Sequence, residues 1–518
     1  MERYRREITR SEVLKLSALG SAALLLPFGQ AVRAAQESSP NFSPYQSDLP
    51  LLPVLEPTSS TTTYDSYEIV QRKGTAEIIP GYSTPIWGYN GLYPGPTIKV
   101  RKGREARVRH VNRLRDPVTV HTHGIYENGD NDGHPNDLIQ PKRAKTYFFR
   151  NYQNARTLWY HDHAEHVTAQ HLYKGLAGFY LVGDEFEDSL PLPRGEYDVP
   201  LIIQDRIFNG DGTLNYPPHG VVVSDNGFLG DVIVVNGKAQ PRFAVATRKY
   251  RFRILNGSNA RPYTLALSNG QPFTLIGTEG GLLETPISLT SLPIWPAERY
   301  EVVIDFSDHS LNSQVILKNT RGGNTSGGSG TTAEIMRFDV VRSETDDSSV
   351  PNPLRPESEQ ADPTHQLTKV EVDAARNAAT TRRWEFGRKR SRTGGPLYVI
   401  NGKTYDKYRI DAFPREGDTE IWEFANPFAQ FQWSHPVHLH LTNFKILDRN
   451  GGPPPSRETG WKETLILGPG EVVRVLIKWP EVPLGAQPEG KFARKYVFHC
   501  HNLEHEDHDM MAQFKVVP

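Results

Sequence analysis

From about Tyr64 onward the chain runs mostly in a two-residue rhythm of apolar and polar positions. In Glu105-Ala-Arg-Val-Arg-His-Val111 and Lys249-Tyr-Arg-Phe-Arg-Ile-Leu255, alternate side chains fall on one side, which predicts half-buried strands. Asn236-Gly237, Asn256-Gly257 and Asn401-Gly402 are turn signals between such runs. Stretches with a 3.6-residue rhythm are scarce. Many short strands with frequent turns point to an all-β protein, and 43 Gly with 40 Pro agree with that.

Four stretches break the rhythm. Residues 1–36 begin with Arg3, Arg5, Arg6 and Arg10, continue through an apolar run from Leu16 to Phe28, and end in small residues at Ala31 to Ala35. That pattern reads as a signal peptide, so export from the cell, to the envelope or beyond, is expected. The run Thr9-Arg-Ser-Glu-Val-Leu-Lys15 resembles a twin-arginine signal except that Ser11 stands where the second arginine belongs. Ser38 to Ser60 is Pro/Ser-rich and reads as an extended arm. Asn319 to Thr332 reads as a surface loop, and Ser343 to Pro363, acidic and Pro-rich, as a linker. No later segment is long and apolar enough to span a membrane as a helix.

A weak internal repeat organises the rest. Leu158-Trp-Tyr-His-Asp-His163 followed by Gly178-Phe-Tyr-Leu-Val182 is similar to Tyr496-Val-Phe-His-Cys-His501 followed by Gln513-Phe-Lys-Val-Val517. Each copy has an upstream His-x-His, and Asp162 takes the place of Cys500. The reading is three β-sandwich domains of one type: residues 45–187, 188–342 and 366–518, with residues 343–365 linking the last two.

Composition narrows the chemistry. Lys and Arg total 59 against 60 Asp and Glu, without the basic excess of a nucleic-acid binder. The single cysteine, Cys500, excludes an intrachain disulfide and any four-thiolate metal site. Against it stand 18 histidines, ten of them in four clusters: His121-Thr-His123, His161-Asp-His163, His435-Pro-Val-His438-Leu-His440, and His499-Cys-His501 with His505. Residues i and i+2 of a strand share a face, so each His-x-His aims two imidazoles one way. A single such pair fits a strand ladder or a zinc site. Four pairs make eight imidazoles, enough for a polynuclear site between the first and third domains. Cys500 must then face the other side, where His435, His505 and Met510 would complete the trigonal sulfur–nitrogen set of a blue copper. One electron could pass from that copper through the Cys500 thiolate to the cluster held by His499 and His501.

These four motifs, in this order, resemble those of the multicopper oxidases, nearest to the bilirubin oxidase and spore-coat laccase group. Trp433-Ser-His435-Pro-Val-His438-Leu-His440 and His499-Cys-His-Asn-Leu-Glu-His505-Glu-Asp-His-Asp-Met510 carry the likeness. The resemblance implies three cupredoxin-like Greek-key β-sandwich domains and four copper ions. His435, Cys500, His505 and Met510 would hold type 1 copper, and His121 and His438 type 2. His123, His161, His163, His440, His499 and His501 would hold the type 3 pair. It also implies acids beside the trinuclear site, Asp132 and Glu506, that manage protons, and a tryptophan, Trp433, bordering type 1. An imidazole edge of His435 or His505 would border a surface cleft where electrons arrive. Met510 rather than Met511 matches the family spacing. The remaining histidines, His110, His134, His166, His171, His219, His309, His365 and His508, match no ligand position and read as structural or surface groups.

The activity so implied is oxidation of phenolic or pigment donors one electron at a time, coupled to reduction of O2 to water. A metallo-oxidase acting on Fe(II), Mn(II) or Cu(I) is the alternative, although with four Met in the chain a Met-rich cuprous-ion insert is absent. A non-catalytic copper-binding envelope protein is a third reading, disfavoured because no ligand position is missing.

Overall fold

The computed structural model describes residues 39–217, 226–321, 332–376, 380–390, 396–430, 433–483 and 490–518. The expected signal peptide, His219 and most of the Asn319–Thr332 loop lie outside the described residues.

The strands form six sheets that pack as three successive pairs. In the first pair, Ser59–Ser60, Tyr64–Ala76, Glu105–Asn112 and Ala144–Phe149 lie in that order, with Thr84–Tyr89 also on Tyr64–Ala76. The facing sheet runs Ile98–Arg101, Ala177–Gly183, Arg156–Asp162, Val120–His123. One core joins the two faces, with Ile69, Val108 and Tyr147 from one meeting Leu158, Tyr160 and Tyr180 from the other. Alternate inward residues of two stacked sheets make such a core. The middle pair has seven and five strands around Leu201, Phe252, Val302, Leu265, Leu317 and Phe338. The last pair has five and four strands; its four-stranded sheet runs Thr464–Leu467, His435–Leu439, Lys495–Cys500, Met511–Lys515.

The internal repeat is visible in the strand pairing. Each sandwich contains a corresponding parallel pair within largely antiparallel sheets: Tyr64–Ala76 with Glu105–Asn112, Asp198–Arg206 with Lys249–Asn256, and Thr380–Arg390 with Thr419–Ala425. The protein is therefore all-β, as the two-residue rhythm predicts.

Three local features differ from the sequence reading or go beyond it. Lys249–Asn256 is a strand, but it is buried on both faces apart from its first residue. Arg251 and Arg253 go inside because Glu301, Glu187 and Asp198 pair with them, which offsets the cost of burying charge. Asn236-Gly237 and Asn401-Gly402 both take positive φ, as a tight hairpin turn requires. Asn256-Gly257 does not; Asn256 instead ends its strand by donating to the carbonyls of Arg261 and Ile294. Finally, the linker is no free tether. Leu354 joins the middle core, and Asp362 forms a fully buried ion pair with Arg156 of the first sandwich.

Candidate copper centres

Strand register sets the site. In the first sandwich His121 lies opposite His161, and His123 opposite Trp159. In the last sandwich His438 lies opposite His499, and Val437 opposite Cys500. Both His-bearing edges turn toward each other. His121 stacks on His440 at 3.9 Å and His123 on His438 at 3.6 Å between ring centroids. Nε2 of His121 is 3.3 Å from Nε2 of His438, and Nε2 of His163 is 3.2 Å from Nε2 of His499. The eight imidazoles expected of the trinuclear site thus come together from chain positions more than 300 residues apart.

The outer ring nitrogens are fixed in turn. Nδ1 of His121, His161 and His438 faces the carbonyls of Asp132 (2.5 Å), Asp162 (2.8 Å) and Glu463 (3.0 Å). Nδ1 of His440 lies 2.7 Å from Oδ2 of Asp132. Oε1 and Oε2 of Glu506 lie 3.1 Å from Nδ1 of His163 and of His499, at ion-pair distance though not aligned for straight hydrogen bonds. These contacts point each Nε2 inward, the usual way an outer partner orients a metal-binding ring. Burial drives the imidazoles of His121, His123, His161, His438 and His440 well below the ordinary histidine range, so they are neutral lone-pair donors. Burial also pushes Asp132 up. It acts the same way on Glu506, but the imidazoles of His163 and His499 outweigh it and hold that carboxyl well below its usual range.

Cys500 faces the opposite side of its strand. Its Sγ lies 3.4 Å from Nδ1 of His435 and 3.6 Å from Nδ1 of His505. His435 and His438 are three apart, so they fall on opposite faces and join different groups of possible metal-holding side chains. Met510 belongs to the same buried core as Cys500, whereas Met511 packs with Tyr405 and Val497. Contrary to expectation, neither imidazole expected at the type 1 site reaches solvent. His435 and His505 are fully buried, with Tyr398 stacked 4.2 Å from His505 and Phe386 5.8 Å from His435. Trp433 is nearly buried, two residues before His435, with the guanidinium of Arg388 5.5 Å from its ring.

The donor set fits copper. A thiol flanked by two Nδ1 atoms is a soft trigonal set. Fully buried His501 has neither ring nitrogen hydrogen-bonded, although it stands 5.1 Å from His123 and 5.4 Å from His161 between ring centroids. An imidazole left so is costly unless something else takes a lone pair.

Three residues near the cluster have no role in the sequence reading. Glu463 places Oε1 3.2 Å from Nε2 of His123, and Thr464 places its hydroxyl 3.2 Å from the same atom. Trp159, fully buried, stacks on His161 at 4.3 Å. The other histidines are largely structural. His110, His134, His171 and His365 are buried, and His171 pairs with Asp162 at 2.8 Å.

Two β-sandwiches clasping paired imidazoles around a central cluster, with one thiol site wired to it, define a copper-dependent oxidoreductase that uses O2. Known proteins agree: multicopper oxidase family domains match residues 71–186, 157–339 and 365–518. The chain is 34% identical to a laccase of Bacillus subtilis, the match spanning 90% of this chain and 97% of that protein. It is 36% identical to a bilirubin oxidase of Albifimbria verrucaria, over 94% of this chain and 83% of that one. The crystal structure of a laccase from Pediococcus acidilactici superposes with a TM-score of 0.79 at 30% identity, covering 93% of this chain and 95% of the other. The protein belongs to the multicopper oxidase family.

Proposed function

We propose that the protein is an exported laccase-type oxidase that takes single electrons from phenolic or pigment donors and reduces O2 to water. The observation that carries this reading is the convergence of eight imidazoles from both ends of the chain beside a thiol built into the same strand. In this reading four coppers bind: type 1 at His435, Cys500, His505 and Met510, type 2 at His121 and His438, and the type 3 pair at His123, His161, His163, His440, His499 and His501. Bound copper supplies the one-electron redox chemistry that no side chain here offers.

The chain's own residues do the rest. Cys500 stands between His499 and His501, so sulfur and both imidazoles are joined by a few covalent bonds along one strand. Burial of every ligand and the stacked outer rings hold the donors in place and keep water out. Reducing O2 to two waters consumes four protons. Glu506, whose carboxylate lies between His163 and His499, and Asp132, whose carboxylate meets Nδ1 of His440 while its backbone carbonyl meets Nδ1 of His121, are the buried acids placed beside the rings to relay those protons. The domains are read as residues 45–187, 188–342 and 366–518, and residues 1–36 as an export signal. No helix among the described residues is long and apolar enough to cross a membrane.

The test is direct. Copper-loaded protein should bind four ions per chain, show the blue thiolate-to-copper band, and consume one O2 for every four phenol molecules oxidised. Parallel rates on a phenol, bilirubin and Fe(II) fix the donor. Turnover of Fe(II) alone would make it a metallo-oxidase, and copper uptake without O2 consumption would overturn the oxidase reading.

A further inference from the structure

We infer that Arg299, in a part of the chain that supplies no copper ligand, is a positioning residue for the trinuclear site, acting through Glu463 on His123. This rests on the copper reading above. His123 is oriented the other way round from its neighbours. Its Nδ1 faces Nε2 of His161 at 3.4 Å, and its Nε2 points outward to Glu463 and Thr464 at 3.2 Å. A neutral imidazole carries one proton, so an acceptor at Nε2 leaves Nδ1 as the lone pair facing the cluster. The hydrogen-bonded acceptor at Nε2 is the Thr464 hydroxyl, which donates in turn to Oε1 of Glu463 at 3.4 Å; with that carboxylate also at ion-pair distance, Glu463 selects this ring's tautomer together with Thr464.

Glu463 is itself held from the middle sandwich. Arg299, at the start of the strand Arg299–Asp305 and fully buried, donates Nη1 to Oε1 of Glu463 and to the carbonyl of Ala297 at 3.0 Å. Its Nε donates to the carbonyl of Thr157 at 3.1 Å, on the strand that carries His161. One guanidinium thus ties the His161 strand to the carboxylate on His123. Gly124 makes room for the pair: a Cβ there would lie 3.0 Å from Nη2 of Arg299 and 3.2 Å from Oε2 of Glu463. Asn443 reaches Oε2 of Glu463 at 3.4 Å and accepts from Arg156 at 2.9 Å, closing the far side. The planar fork can serve a carboxylate and a carbonyl together; a lysine offers a single point charge.

The experiment compares copper-loaded parent, Arg299→Met, Arg299→Lys and Glu463→Gln. Copper per chain, the near-ultraviolet band of the type 3 pair relative to the blue band, and steady-state kinetics are read in each. For Arg299→Met, turnover and type 3 copper retention should fall about tenfold or more, while the blue band, the donor KM and anaerobic reduction of the blue centre by a phenol stay within about twofold. Arg299→Lys should restore part of the loss. An intact blue band shows that the variant is folded; should Arg299→Met not accumulate, Glu463→Gln decides, with the same selective loss of the type 3 band expected. Parent-like band ratios and turnover in Arg299→Met, or in Glu463→Gln where that variant decides, would overturn the inference, as would equal loss of both bands. A parent protein that takes up no copper would instead overturn the functional reading.

Discussion

Cys500 is completely buried, and burial raises its thiol far above the ordinary range, so the metal-free side chain is protonated. Copper must displace that proton, and loading of the type 1 centre should tighten as pH rises. Cys500→Ser keeps the size of the side chain but not the soft donor. It should abolish the blue band and lower phenol-driven O2 consumption more than about a hundredfold, with the unfolding midpoint of the metal-free protein little changed. Glu506 acts on the other side of the same strand. Glu506→Gln preserves the shape of the bridge between His163 and His499 but cannot carry a proton. Turnover should fall about a hundredfold while a phenol still bleaches the blue band anaerobically at the parent rate; slower bleaching would show that Glu506 serves the thiol centre instead.

At the scale of the element, the two His-bearing strands are one design used twice. Where Lys495–Cys500 ends in a thiol with two imidazoles beside it, Arg156–Asp162 ends in Asp162. That carboxylate accepts from the backbone N–H of Thr119 at 3.2 Å and of Ala164 at 3.1 Å, and faces His171 at 2.8 Å. Protein hydrogen bonds fill the place that a metal would take in the second copy. Asp162→Ala should leave these buried partners unsatisfied and cost about 3 kcal/mol, read as a lower denaturant midpoint at unchanged slope, with the blue band intact. Elements of this kind were legible in the sequence because their information is local. Alternation places His499 and His501 on one face and Cys500 on the other before any partner strand is known. Glu463 was not legible, because its meaning depends on Thr464 pairing with His438 and on His123, 340 residues upstream. The double burial of Lys249–Asn256 was hidden for a similar reason: its arginines look like a solvent face until Glu301 and Asp198 are placed beside them.

For the whole molecule, buried neutral histidines tie stability to pH. Burial, helped by the charge of Lys145, holds His110 down to about 3, where Nδ1 pairs with the amide of Gln71 at 2.8 Å; burial holds His134 at about 3 as well. Unfolded, both titrate near 6.5. Below that value the unfolded chain binds protons that the fold refuses, so their contribution is complete above pH 6.5 and is lost as pH falls toward 3. By pH 5 each should have cost about 2 kcal/mol. Urea titrations of the metal-free protein at pH 7.5 and 5 should show the drop, to which the buried cluster imidazoles add, and His110→Phe should lessen it by its share; a midpoint independent of pH would contradict this. The cupredoxin-like sandwiches were foreseen, but not how tightly the chain straps them together. The stretch read as a linker from its acidic, Pro-rich composition hides Asp362 against Arg156, a pairing 206 residues apart that composition does not encode. Long separation has one more consequence. The proposed donors run from His121 to Met510, so a nascent or clipped chain lacking its last twenty residues would keep six of the eight cluster imidazoles but neither proposed sulfur donor. In that reading the blue colour would report that synthesis ran to the final hairpin, and only full copper uptake at the imidazole cluster would report that the first and last sandwiches have met.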